Sequence, residues 1–193
     1  MTTTPPPDID PTAFGGRIIP DIDWEGDDHR TGDQYVTCGD SSIAMAAAWA
    51  SNGRILHDGS VYRDSDPSPA GVDFPHLGVE LGRVAKLILN VPKGWKWGNC
   101  SFHLTGGTGL IIMGPYSALP APFREQIITV DFWHFMFVPY YSVTSGCRLM
   151  DPLNKAVTSQ GKWVPAGAVR QFIEAGGVQV AYINNQPLLP AGH

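Results

Sequence analysis

Apolar residues at Ile43, Met45, Ala46, Ala47 and Trp49 follow Cys38-Gly39 in an alanine-rich run. Alanine is the best intrinsic helix former, and this spacing predicts a buried helix that opens at or just after Cys38 and stops at Ser51-Asn52-Gly53. A loop-rich stretch from His57 to Pro75 follows. Leu77, Val79, Leu81, Val84, Ala85, Ile88 and Leu89 then repeat the helical spacing and predict a second helix packed on the first, weakened by Gly78 and Gly82. Trp95, Trp97, Cys100 and His103 read as an aromatic loop or strand that covers the core or lines a groove.

Beyond residue 108 the pattern becomes strand-like. Gly109 to Gly114 is a short apolar run bounded by glycines, and Phe132 to Tyr141 is a longer one. After a turn at Ser145-Gly146, Cys147 to Asp151 folds back as the second strand of a hairpin, which Pro152 ends. Residues 157–164 predict a further strand, 165–173 a short helix and 178–183 a closing strand with period-two alternation. The sum is an α+β domain, an N-terminal helix bearing a cysteine packed on an antiparallel sheet bearing a histidine and an aspartate.

A length of 193 residues suits one such domain with arms. Residues 1–20, with Pro5, Pro6 and Pro7 in succession, read as an extended arm, 21–183 as the domain and 184–193 as a polar, Pro-rich tail. The net charge of −5 and the lack of any Lys/Arg cluster argue against a general nucleic-acid binder. No stretch has the apolar length of a membrane span, and the N-terminus lacks the basic and apolar segments of a signal peptide. The expected location is therefore the cytoplasm of the producing cell, or a virion if the chain is phage-encoded, with the arm as a tether to other virion proteins.

Metal chemistry finds little support. Asp21-Ile22-Asp23-Trp24-Glu25-Gly26 imitates the start of a calcium loop, but Gly32 stands where the bidentate Glu is needed. Cys100 and His103 have zinc spacing without a second pair, and Thr105-Gly106-Gly107-Thr108 lacks the lysine of a phosphate loop. No cofactor or metal is expected. The three cysteines, Cys38, Cys100 and Cys147, are odd in number and far apart, so no disulfide framework is implied.

Nucleophilic chemistry is better represented. The start of a helix favours negative charge, so a thiol at Cys38 is drawn toward its nucleophilic form. Antiparallel pairing of the two hairpin strands brings His134, near the start of the first, and Asp151, at the end of the second, to one end of the sheet. His134 would take the Cys38 proton and Asp151 would orient the imidazole for attack of the thiolate on a carbonyl carbon. The Cys38 backbone N–H and the Gln34 amide are candidate donors to the resulting oxyanion.

Gln34-x-x-x-Cys38-Gly39, His134 leading a hydrophobic strand, and Met150-Asp151-Pro152 resemble the papain-like cysteine peptidases of the C39-like, bacteriocin-processing-peptidase-like group. The resemblance implies a papain-like fold with Cys38 as nucleophile, His134 as base, Asp151 as orienting residue and Gln34 in the oxyanion hole. Asp40 departs from the family, which typically has Pro there; its carboxylate opposes the thiolate, while at the first turn it can serve as a cap. The substrate class stays open among a peptide, an isopeptide and a cell-wall cross-linking peptide. A second reading, a catalytically idle fold serving as a virion structural or binding protein, stays open beside the enzyme.

Overall fold

A computed structural model describes residues 38–50, 89–90, 97–105, 108–125, 131–154, 161–177 and 179–184. Its elements in chain order are α1 (Cys38–Ala50), β1 (Leu89–Asn90), α2 (Trp97–Thr105), β2 (Thr108–Pro115), β3 (Trp133–Ser142), β4 (Gly146–Met150), β5 (Lys162–Val164), α3 (Ala166–Ala175) and β6 (Gln179–Asn184). Two short 3₁₀ turns, Tyr116–Ala118 and Ala121–Phe123, lie between β2 and β3. The strands form one six-stranded sheet in the order β1-β6-β2-β3-β4-β5, and every pairing is antiparallel.

The register sorts the side chains into two faces. Leu110 pairs with Val138 and Ile112 with Met136, so these four share a face. They form a buried cluster with Cys100 and Leu104 of α2 and with Val169, Phe172 and Ile173 of α3. Gly109 and Phe137 belong to the opposite face, where Trp49 of α1 sets its ring edge-on to Phe137 at 5.7 Å. Trp49 also donates its indole N–H to the Tyr140 hydroxyl at 3.0 Å. The approach requires glycine at 109, because a Cβ there would lie 2.9 Å from both the Trp49 and the Phe137 rings.

The β3–β4 hairpin carries a bulge. Ser142 pairs with Gly146 and Tyr140 with Arg148, but Phe137 pairs with Met150, so β3 spends one residue more than β4 between the last two pairs. Pro139, which cannot donate to a ladder, lies in this interval. Gly146 takes φ +91°, and a Cβ there would meet the Val164 carbonyl oxygen at 2.2 Å, so the hairpin return depends on glycine.

Most predicted elements from Cys38 onward are present, with corrections. Residues 97–105 form α2 instead of an aromatic loop or strand; Trp97, Cys100 and Leu104 follow helical spacing and turn one stripe toward the sheet. Leu89 pairs with Ile183 in β1 rather than ending a helix. Pro92, just downstream, disfavours helical backbone in the residue before it. The strand β6, expected to close the fold, lies inside the sheet between β1 and β2. The rest of the 77–89 segment, the residue 1–20 arm, the acidic 21–33 stretch, residues 155–160 and the tail after Asn184 lie outside the described residues.

Candidate active site

Three of the four site residues expected from the sequence meet at one end of the sheet. His134 is the second residue of β3, Asp151 follows the last residue of β4, and Cys38 is the first residue of α1. Gln34 lies outside the described residues. His134 Nε2 and Asp151 Oδ1 are 2.7 Å apart, and Cys38 lies near enough to the same imidazole to raise its proton affinity. With Nε2 committed to Asp151, Nδ1 is the ring nitrogen left for the thiol.

The bulge decides which side of the sheet Asp151 serves. Continuing the Phe137–Met150 register by one step sets Asp151 opposite Met136, a diagonal neighbour of His134 on the same face. Had the Tyr140–Arg148 register run on one-for-one with no bulge, Asp151 would fall opposite Phe137 on the other face. Backbone pairing up to Met150 thus sets the face on which Asp151 leaves the strand.

Asp151 is fully buried and surrounded by donors. Besides His134, its Oδ1 accepts the Leu153 backbone N–H at 2.9 Å, and its Oδ2 accepts the Tyr116 hydroxyl at 2.7 Å. Burial alone would favour the neutral acid, but the His134 charge and these three hydrogen bonds outweigh it, holding the carboxyl below its ordinary range. The same balance acts on His134. Burial would drive its proton off, yet the Asp151 charge and hydrogen bond, helped by Cys38, raise its affinity for the proton.

An aromatic enclosure surrounds the imidazole. Tyr116 lies edge-on to His134 at 4.9 Å and stacks on Phe132 at 5.1 Å, and Phe132 meets His134 edge-on at 5.7 Å. Asp131 closes the excursion that carries Tyr116, accepting the backbone N–H of Ser117 at 2.9 Å and its hydroxyl at 2.6 Å. Sequence reading missed Tyr116. Its only mark is a position at the end of a buried strand, after Gly114-Pro115.

The site is covered as well as buried. Cys38 is 2% exposed and His134 1% exposed. The other two thiols belong to the core: burial pushes Cys100 up to about 11, and burial with the neighbouring Cys100 pushes Cys147 up to about 12. Cys100 is thereby committed to packing, and among the described residues no cluster of His, Cys, Asp and Glu could hold a metal. Among the same residues, no helix is long and apolar enough to cross a membrane.

No family model matches the chain, and no curated protein matches it. Among solved structures, a candidate C39-like peptidase from Bacillus anthracis matches with a TM-score of 0.56 and 14% identity, covering 78% of this chain and 90% of that one. At this identity the likeness is one of architecture: the chain has the α+β fold of a C39-like peptidase.

Proposed function

We propose that the protein is a cysteine peptidase or amidase that cleaves a peptide bond through Cys38, His134 and Asp151. The observation that carries this reading is the 2.7 Å His134–Asp151 contact, on an imidazole whose proton affinity Cys38 also raises. The Cys38 proton passes to Nδ1 of His134, and Asp151 stabilises the imidazolium that results. The thiolate adds to the carbonyl carbon, and the oxyanion draws on the Cys38 backbone N–H at the start of α1 and on Gln34. Collapse expels the amine, protonated by His134, and leaves a thioester. Water activated by His134 then adds to that thioester and releases the acid and the free thiol.

The preferred setting is a phage-associated hydrolase acting on cell-wall peptide, in keeping with the sequence of the arm. Incubation with purified peptidoglycan and with unrelated peptides, scored by new amino termini, separates a wall enzyme from a general peptidase. The chemistry itself is tested by the rate of Cys38 alkylation with iodoacetamide from pH 4 to 9. A His134→Ala variant that alkylates many times more slowly near neutrality supports the reading; identical profiles in the two proteins overturn it.

A specific observation favours the second reading, an idle fold used for binding. Cys38 is 2% exposed, whereas Trp133, beside the site histidine, and Trp163 on the edge strand are 50% and 36% exposed. Single-turnover assays distinguish the two. A thioester trapped from a peptide substrate supports the enzyme, and its absence together with a His134-independent thiol supports the binding protein.

A further inference from the structure

Asp151 has more anchoring than a partnership with histidine alone requires. Its Oδ1 serves His134 and the Leu153 backbone, while Oδ2 accepts the Tyr116 hydroxyl at 2.7 Å. The Tyr116 oxygen itself accepts the backbone N–H of Glu125, also at 2.7 Å. A phenol has one hydrogen to give, and an ionised carboxylate can only accept. The N–H arriving from Glu125 therefore leaves the hydroxyl hydrogen directed at Asp151.

This chain of donors is held at both ends. The Tyr116 ring is fully buried between Phe132 and His134. Glu125, which supplies the N–H, is tied to β5 by a 2.8 Å ion pair with Lys162 and receives the Asn154 amide at 3.4 Å. Asn154 in turn donates its backbone N–H to the Asp151 carbonyl at 2.9 Å. The turn carrying Asp151 and the excursion carrying Tyr116 are thus fastened to each other twice, once through Tyr116 and once through Glu125.

We propose that Tyr116 is a positioning residue of the site: its hydroxyl, aimed by the Glu125 N–H, fixes the plane and the ionised state of the Asp151 carboxylate, and through it the His134 tautomer that offers Nδ1 to Cys38. Its consequence for catalysis rests on the peptidase reading, but the Tyr116–Asp151 linkage can be measured without any substrate. A tyrosine that merely fills the core would leave the thiol chemistry untouched.

The experiment uses the full chain with ¹³C-labelled aspartate and follows the Asp151 carboxyl resonance against pH. In Tyr116→Phe, which keeps the ring and its stacking, the Asp151 midpoint rises by about one pH unit or more, the scale of one hydrogen bond to a charged group. The rate of Cys38 alkylation at pH 6 falls about tenfold by the same scale. With 3-fluorotyrosine at 116, a stronger donor of nearly the same shape, the midpoint moves the other way, and this arm decides alone if the phenylalanine variant fails to fold. A midpoint unmoved by either change overturns the proposal, as does an unmoved alkylation rate in a folded Tyr116→Phe protein whose parent thiol depends on His134. Failure of the peptidase reading looks different: parent alkylation ignores His134→Ala, while the Asp151 midpoint still follows Tyr116, which upholds the linkage and removes only its catalytic consequence.

Discussion

His134 and Asp151 are both buried, and each owes its charge to the other. A histidine whose proton affinity is raised by folding contributes stability that is complete below its unfolded value, near 6.5, and is lost as pH rises toward the higher folded value. An aspartate shifted downward contributes stability that is complete above its unfolded value, near 3.8, and is lost as pH falls through the folded one. The two together predict a plateau of urea resistance between about pH 4 and 6.5 with a decline on either side. Asp151→Asn removes the charge that holds the His134 proton, so the alkaline decline should disappear in urea titrations of that variant; its persistence would place the cause elsewhere. The same substitution should slow Cys38 alkylation near pH 7 by about ten- to a hundredfold, the worth of one hydrogen bond to a charged group. Asp151→Ala is a harsher change. It strands three buried donors and should cost about 3–5 kcal/mol in chemical denaturation.

The bulge in β3 and the glycines around β2 show how elements deliver those residues to one place. Deleting Pro139 removes the extra residue of the bulge and lets Tyr140–Arg148 and Phe137–Met150 pair in one unbroken ladder, so Asp151 stays on the face of His134. A folded Pro139-deleted protein should therefore keep the parent Cys38 alkylation profile; a profile like that of Asp151→Asn would show that the pairing beyond the bulge had slipped by a residue. Two glycines of the α3 region make an opposing pair. A Cβ at Gly167, inside α3, meets nothing within 4 Å, so Gly167→Ala should stabilise by about 0.5–1 kcal/mol through helix propensity. A Cβ at Gly176 would sit 2.2 Å from the Met113 carbonyl oxygen, so Gly176→Ala must push α3 off β2 and should cost about 1–3 kcal/mol. Thermal unfolding of the two variants should move in opposite directions. These features also mark how far the sequence could be read. Cys38, His134 and Asp151 were legible because helix start, strand start and strand end are local signals. The bulge was not, since a proline in a hydrophobic run says that a ladder is interrupted but not which residue is extra. Tyr116 was hidden for another reason: its partners lie 9 and 35 residues away, and only the closed sheet brings them together.

At the scale of the whole molecule, the three thiols report on one cooperative core from different depths. Cys100 on α2 and Cys147 on β4 belong to a single cluster that also includes residues of β2, β3, β5 and α3. Both are fully buried, and burial raises them to about 11 and about 12, so at neutral pH they are both inaccessible and un-ionised. Cys147 sits in the sheet itself and reports on the sheet, while Cys100 reports on whether α2 stays packed on β2 and β3. Cys38 differs: it starts a helix at the end of the sheet, beside an imidazole that can take its proton. Quantitative thiol labelling at pH 7 should accordingly find one fast-reacting group in the native protein and three after denaturation. As urea is raised, labelling of Cys100 and Cys147 should follow the global unfolding curve, with equal midpoints, while Cys38 reacts at a rate nearly independent of urea below the transition. Labelling of Cys100 well before Cys147 would mean that α2 detaches as a separate unit. A native Cys38 as slow as the other two would mean that its cover opens only with the core, a geometry unsuited to turnover and favourable to the binding reading.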